Sequence, residues 1–302
     1  MASSRTVRAP RGSGATAARR LAKRAFRARE RRFLAEGPQA VREALGAGVV
    51  TELFATGEAT RRYPELLTAD PAIRASEVAE SVLADLTQTV TPQGIVAVCG
   101  FVDVGLPELL VPAPSLVAIM AHVRDPGNAG TVLRCADAAG ADGVVLSSAS
   151  VDVYNPKAVR ASAGSLFHLP VVLDAELPAT LAAIRAAGLT VLAADGGVSD
   201  AIDLDDAVDR GLLARPTAWL FGNEAWGLPA EVRSLADAVV AVPIHGRAES
   251  LNLATAAAVC LYASASAQRR AATSGVAAGS VAAGRASDGV ASSRHADAGD
   301  AI

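Results

Sequence analysis

Apolar and polar residues follow two different rhythms along the chain, and the change of rhythm divides it. Between residues 31 and 100, helical patterns such as 38–45 are interspersed with strand-like runs such as 49–55, which predicts a small α/β unit. From Ser115 onward, short apolar runs and helical patterns alternate regularly, as is typical of a mostly parallel sheet. The pattern therefore predicts an α/β protein with two folded units, joined by a proline-rich connection over residues 101–114.

The second unit, residues 115–268, is predicted to contain six strands and five helices. The predicted strands cover residues 116–122, 143–146, 171–173, 190–193, 218–221 and 238–242, and the helices 129–139, 157–163, 177–187, 230–235 and 251–267. Asn128 and Ser250 are residue types that favour N-caps, so each is expected to begin the helix that follows it. Alanines form one face of the last helix, which predicts that another segment packs very closely against it.

The two ends of the chain differ in composition from the middle. Residues 1–32 hold 11 Lys or Arg and one acid, so their net charge is about +10, while the rest of the chain carries about −13. The basic arm, residues 1–30, is expected to be disordered or only partly helical, and either to bind a polyanion or to remain solvated. Residues 269–302, rich in Ala, Gly and Ser, are also expected to be disordered, because they cannot bury enough apolar area.

Composition excludes several classes of protein. The three cysteines lie far apart in the sequence and form no metal-binding motif with histidine, so no metal site is expected. No apolar run approaches the roughly 20 residues of a membrane span, and the basic arm lacks the apolar segment of a signal peptide. Aromatic residues make up only 4% of the chain, which argues against a large base-stacking platform. These features favour a cytoplasmic protein.

Polar residues that suit ligand binding follow three of the predicted strands. Asn128 begins a predicted helix and Arg134 lies about 9 Å further along it, so both are expected at a helix N-terminus that attracts anions. Gly222 and Glu224 follow the strand at 218–221, in the crevice where open α/β sheets usually bind ligands.

The third polar stretch runs from Val242 to Asn252. Its strand ends before a proline and a polar loop, and Ser250 and Asn252 precede the last helix. Each of the three stretches also has a purely structural interpretation, as a capped helix or as a turn with an exposed acid.

Together the three stretches resemble the signature motifs of the SpoU/TrmH family of RNA 2′-O-ribose methyltransferases, in the SPOUT class. The motifs are N-x-G-x-x-x-R at 128–134, F-G-N-E-x-x-G-L at 221–228 and V-P-I-x-G-x-x-x-S-L-N at 242–252. Residues 152–167 are similar to the segment that links these motifs in the family. Residues 33–37 and 91–94 resemble, more weakly, the L30e-like RNA substrate-binding domain that many members carry before the catalytic one. This resemblance implies such a domain over residues 31–100.

The resemblance implies a deep trefoil knot at the C-terminal end of the second unit, bound S-adenosylmethionine and an active site shared across a homodimer. The cofactor-binding residues that it implies are Gly222, Val242, Ile244, Leu251 and Asn252. The catalytic residues that it implies are Asn128, Arg134, Glu224, Ser250 and Asn252. Since arginine stays protonated, Arg134 is expected to hold the target phosphate and to stabilise the developing alkoxide. Glu224 is expected to accept the hydroxyl proton, directly or through water.

The implied activity is methyl transfer to a ribose 2′-hydroxyl of structured RNA, with 23S rRNA as the favoured substrate, in a housekeeping or an antibiotic-resistance role. Two alternatives remain open: a tRNA 2′-O-methyltransferase, and a non-catalytic RNA-binding or ribosome-assembly protein on the same fold. A nicotinamide-dependent oxidoreductase is disfavoured because no G-x-G-x-x-G motif follows any predicted strand.

Overall fold

The structure, a computed structural model, describes residues 13–288 of the 302-residue chain, with side chains described for residues 14–274. The first unit is a four-stranded sheet with helices around it. Its elements are α1 (Ser13–Arg20), α2 (Arg24–Glu30), β1 (Arg32–Glu36), α3 (Pro38–Gly46), β2 (Val50–Ala55), α4 (Gly57–Arg62), α5 (Pro64–Thr68), β3 (Arg74–Glu77), α6 (Glu80–Leu86) and β4 (Ile95–Gly100). The strand order is β1–β4–β2–β3, with β4 antiparallel to both neighbours and β3 parallel to β2. Strands β1 and β3 were not predicted from the sequence.

Of the two expectations for the arm, disorder is wrong for residues 13–30, because helices α1 and α2 form most of this range. Ala18 and Leu21 are buried in a cluster with Leu34 and Phe54 of the first sheet, so apolar contacts hold α1 in place. Residues 1–12, the remainder of the arm, lie outside the described residues.

The second unit follows the short helix α7 (Leu106–Leu109) and contains a seven-stranded sheet. Its elements are β5 (Leu116–Met120), α8 (Pro126–Ala139), β6 (Gly143–Ser147), α9 (Pro156–Ala161), β7 (Val171–Ala175), α10 (Leu177–Ala186), β8 (Thr190–Ala194), β9 (Ile202–Asp203), α11 (Leu204–Asp209), β10 (Thr217–Phe221), α12 (Ala230–Arg233), β11 (Ala238–Ala241) and α13 (Leu253–Asp288). All six predicted strands are confirmed, whereas β9 and α11 were not predicted.

Every pairing in the second sheet is parallel, and the strand order is β7–β6–β5–β10–β8–β11–β9. Helices cover both faces, as parallel sheets require. Leu116, Ala118 and Met120 of β5 belong to the same core cluster as α8 and α13, while Val117 and Ile119 belong to the cluster that includes α10. This confirms the α/β class with a mostly parallel sheet; the trefoil knot stays a prediction.

The last helix is longer than the sequence indicated. Expected disorder from residue 269 is wrong through Asp288, because α13 continues to that residue; residues 289–302 lie outside the described part of the chain. Alanine has the highest helix propensity, and a helix anchored in a core extends with little further cost. Ala254, Ala257 and Leu261 are buried, so the alanine face is packed as expected.

The segment from Asp152 to Phe167 fixes the first unit against the second. Arg27 of α2 is buried and donates to Asp152 from Nε at 3.0 Å, and Arg160 of α9 donates to Glu36 of β1 at 3.0 Å. Aromatic rings continue the contact, since Phe33 of β1 lies against rings of this segment. The two units therefore share one continuous apolar core.

Within the described residues, no helix combines the length and the apolar character needed to cross a membrane. The same residues contain no group of three or more His, Cys, Asp or Glu side chains arranged to hold a metal ion.

Candidate active site

Three polar loops leave the same edge of the second sheet. Strands β5, β10 and β11 run parallel, with only β8 between β10 and β11, so the loops that follow them share the carboxyl edge. These loops cover residues 121–125, 222–229 and 242–252, and they contain or lead into all three motifs. Strand order thus brings together segments that lie about a hundred residues apart in the sequence.

A chain of hydrogen bonds joins one side chain from each loop region. Asn252 accepts from the Ala254 amide at 2.9 Å through Oδ1, and its Nδ2 donates to Oδ1 of Asn128 at 3.2 Å. Asn128 in turn donates from Nδ2 to Oε1 of Glu224 at 3.0 Å. A backbone N–H at one end and a carboxylate at the other fix the orientation of both amides.

Glu224 is the acceptor at the end of this chain. Its carboxylate also accepts from the backbone amides of Arg124 at 3.3 Å and Asp125 at 3.2 Å. Partial burial opposes ionisation, but the hydrogen bonds from Asn128 and the backbone outweigh it and lower the pKa of Glu224. A carboxylate with a lowered pKa and its oxygens engaged is a poor proton acceptor, so the geometry favours a positioning role for Glu224 over the expected one.

The start of α8 differs from the sequence expectation. The N-cap is Asp125, whose Oδ1 accepts from the Asn128 amide at 2.8 Å, so the prediction that Asn128 caps this helix is wrong. Lys157 of α9 donates to Asp125 at 2.7 Å, and this hydrogen bond lowers the pKa of Asp125. Because the backbone is capped by Asp125, the Asn128 side chain is free to point toward Glu224. An Asp directly before a Pro is a recognisable helix start, so the sequence did carry this signal.

The loop after β10 is a closed turn held by Asn223. Backbone hydrogen bonds pair Asn223 with Gly227 in both directions, at 2.8 and 2.9 Å. A Cβ on Gly222 would lie 2.4 Å from the carbonyl carbon of Gly227, so the absence of a side chain serves this turn.

Asn223 also links two of the three loops and was missed as a site residue. It is 6% exposed, and its Nδ2 donates to the carbonyl oxygen of His122 at 2.7 Å. His122 has a left-handed backbone with φ of 58°, and its amide donates to Ser147 Oγ at 3.0 Å. Such a conformation in a residue other than glycine persists only when its surroundings hold it, as they do here.

Two of the five expected catalytic residues lie outside the network. Arg134 is exposed, and its side chain makes no hydrogen bond or ion pair with other described residues. Six residues along a helix place it about 120° around the axis from Asn128 and about 9 Å further on. Ser250 is exposed and does not cap α13, because that helix begins at Leu253 after Asn252; the prediction of a Ser250 cap is therefore wrong.

The expected cofactor-binding residues line the same edge. Gly222 is buried, Val242 and Leu251 are half-buried, and Ile244 is 37% exposed. Between residues 243 and 251, the backbone makes no hydrogen bond with the rest of the described chain. Open backbone groups beside exposed apolar side chains are typical of small-molecule sites.

Comparison with known proteins assigns both units. The family model described as the SpoU rRNA Methylase family matches residues 115–262, and the model of the MRM3-like substrate binding domain matches residues 16–97. The chain is 36% identical over 231 residues to the 23S rRNA (guanosine(2553)-2′-O)-methyltransferase RlmP of Bacillus subtilis, covering 76% of this chain and 87% of that protein.

Solved structures of methyltransferases also match most of the chain. The SpoU methyltransferase AviRb from Streptomyces viridochromogenes matches with a TM-score of 0.75 and 30% identity, covering 86% of this chain and 98% of that one. An AdoMet-bound rRNA methyltransferase from Sinorhizobium meliloti matches with a TM-score of 0.72 and 29% identity, covering 86% and 97%. Sequence motifs, fold and relatives agree, and the chain belongs to the SpoU rRNA methylase family.

Proposed function

We propose that this protein transfers the methyl group of S-adenosylmethionine to a ribose 2′-hydroxyl of 23S ribosomal RNA. The observation that carries the proposal is the hydrogen-bonded set of Asn128, Glu224 and Asn252, which joins all three motifs at one edge of the sheet. The relatives whose names state an activity support it, since RlmP is a 23S rRNA 2′-O-methyltransferase. An enzyme that modifies ribosomal RNA would act in the cytoplasm.

The residues at the sheet edge fit the proposed cofactor. When bound, S-adenosylmethionine supplies a methyl group already activated by its sulfonium. Ile244 and Val242 offer apolar surface for an adenosine group, and the open backbone of residues 243–251 offers hydrogen-bonding groups for its polar atoms. Gly222 and Leu251 complete the lining that we propose.

The polar residues would align the acceptor hydroxyl. Asn128 and Asn252 each use one amide hydrogen within the network, which leaves one on each side chain to donate to a ribose oxygen. Arg134 would hold the adjacent phosphate and stabilise the developing alkoxide, with Ser250 contacting the same nucleotide. Because Glu224 is a poor base, we propose that the proton passes to water.

We further propose that the enzyme works as a homodimer in which Arg134 serves the partner's site. Val259 and Tyr262 of α13 are 37% and 48% exposed, and Tyr262 Oη donates to the carbonyl of Ala138 on α8 at 3.4 Å. These apolar side chains therefore lie beside the helix that carries Arg134. A second copy packed on this face would cover them and receive the exposed guanidinium.

A complementation experiment tests this arrangement. Asn128→Ala and Arg134→Ala are each expected to be inactive, while an equimolar mixture after subunit exchange should recover about a quarter of the wild-type rate. Recovery requires that the two residues of one site come from different subunits. A mixture as inactive as its components, with native mass spectrometry showing mixed dimers, would place both residues in one subunit.

The activity itself is tested by incubating the protein with S-adenosylmethionine and 23S rRNA or tRNA transcripts, and mapping 2′-O-methyl groups. A single methylated ribose in 23S rRNA, absent with Asn128→Ala, is the expected result. Methylation confined to tRNA would replace the proposed substrate. Failure of the wild-type protein to bind S-adenosylmethionine in calorimetry would leave a non-catalytic RNA-binding protein.

A further inference from the structure

Trp226 is an exposed aromatic residue that neither the fold nor the proposed chemistry explains. It is 53% exposed, whereas Trp219, the other tryptophan of the chain, is fully buried and donates to Ser264 at 2.9 Å. Trp226 stands two residues after Glu224, in the turn closed by Asn223 and Gly227. A large indole thus lies on a hydrogen-bonded turn, beside the site and open to solvent.

Arg124 covers part of this indole. Its guanidinium carbon lies 5.2 Å from the centre of the Trp226 ring, and its backbone amide donates to Glu224. The side chain is exposed and forms no ion pair within the described residues. A guanidinium stacked on an indole extends the planar surface and keeps a positive charge at its margin.

The same arginine lines an open groove of about 370 Å³ between the second unit and α2. Arg24 lines this groove too and, like Arg124, has no acidic partner among the described residues. Asp152, which also lines the groove, is already paired with the buried Arg27. The unpaired charges that line the groove, on Arg24 and Arg124, are therefore both positive. A groove of this charge suits a polyanion and disfavours a cationic sulfonium.

We propose that this surface binds the RNA strand next to the methylated nucleotide, a role that rests on the proposed function. Trp226 stacks on a base of that strand, and Arg124 and Arg24 bind its phosphates as it passes along the groove. Stacking on an aromatic ring tolerates any base, because every base has a π-face. The surface thus positions the strand and leaves the chemistry to the loops already described.

Steady-state kinetics separate this role of Trp226 from two alternatives, packing on the cofactor and packing at the contact between subunits. Trp226→Ala is expected to raise the KM for RNA about tenfold, with Trp226→Phe close to wild type because phenylalanine still stacks. The KM for S-adenosylmethionine and the dimer mass should stay unchanged in both variants. A raised KM for S-adenosylmethionine, or dissociation of the dimer, would assign the indole to the cofactor or to the subunit contact and overturn the proposal.

Fluorescence provides a readout independent of activity. RNA binding should quench the emission of the wild-type protein, and Trp226→Phe should abolish the quenching, since the remaining Trp219 is buried. Quenching that persists in this variant would contradict stacking on Trp226.

Salt dependence tests the two arginines. Arg124→Ala and Arg24→Ala should each reduce the slope of log affinity against log salt by about 0.7, the value for one phosphate contact on single-stranded nucleic acid. Arg210→Ala is the matched control, because Arg210 is exposed and follows α11, next to strand β9 at the far edge of the sheet. Unchanged slopes for Arg124 and Arg24 in a wild-type enzyme that methylates RNA would refute this proposal alone; a wild-type enzyme that does not bind RNA would refute the proposed function as well.

Discussion

Replacing Glu224 by glutamine distinguishes a positioning carboxylate from a catalytic base. The change keeps the size of the side chain but removes the charge, and it places an NH₂ group where one oxygen accepts from Arg124 or from Asn128. Hydrogen bonds to a charged acceptor contribute about 1 kcal/mol more than neutral ones. Because Glu224 is exposed, solvent screening reduces this difference, so we expect a total loss of about 1–2 kcal/mol over its three bonds.

That loss corresponds to a decrease of about 5- to 30-fold in kcat/KM. The dependence of kcat/KM on pH should have the same shape in the variant as in the wild-type enzyme between pH 6 and 9. The pKa of Glu224 is lowered in the folded state. The stability that its ionised carboxylate contributes to the folded site is therefore fully present above the ordinary pKa of about 4.3, and it is lost only as pH falls through the lower folded value. The assay is transfer of labelled methyl groups to rRNA, with Glu231→Gln, an exposed acid on α12, as the control.

A general base behaves differently. Its removal typically lowers the rate by about 10²–10⁴-fold and removes the limb of the pH profile that reports its ionisation. A decrease of that size in Glu224→Gln, together with a changed profile, would refute the positioning role.

Three further substitutions test the structure around the site. Gly222→Ala should abolish activity and lower the Tm by several degrees, since the added methyl would meet the Gly227 carbonyl group; a normal melting curve would contradict this. Arg27→Ala should destabilise the protein by about 3 kcal/mol in urea unfolding, because it leaves the Asp152 carboxylate unpaired at the contact between the two units. A loss of stability below about 1 kcal/mol would show that the ion pair between Arg27 and Asp152 is unimportant. His168 bridges the two units, and the hydrogen bonds that its ring donates to Asp137 and then to Glu43 raise its pKa. The stability that protonated His168 contributes is full below pH about 6.5 and is lost as pH rises through the raised pKa, so His168→Gln should remove this pH-dependent part from a plot of Tm against pH. Parallel plots for the wild-type protein and the variant would refute the bridge.

The local pattern was sufficient where an element's own residues decide its structure. Six of the seven strands of the second sheet were predicted because each contains a short apolar run, and α8 and α10 because their periodicity is clear. Helix α1 was missed because its stability comes from Ala18 and Leu21 packing on the first sheet rather than from its own composition. The extension of α13 was missed because low-complexity composition was taken as disorder.

The motifs predicted which segments form the site, but they did not predict how its side chains pair. Both mistaken caps, Asn128 and Ser250, have suitable chemistry, and in each case a neighbouring residue, Asp125 or Asn252, takes the position. Which oxygen accepts from a helix N–H depends on where the chain turns into the helix, and spacing alone does not give that geometry.

By itself, then, the sequence determined the α/β class, the order of the elements and the family, since apolar periodicity and motif spacing are properties of adjacent residues. Only the tertiary structure decided that Asn128 bonds to Glu224, 96 residues away, that Arg27 pairs with Asp152 across 125 residues, and that Arg124 lies over Trp226. The physical reason is that hydrogen bonds and ring contacts act over a few ångströms. Distant residues come within that range only after the strand order has been set by burial of the whole sheet.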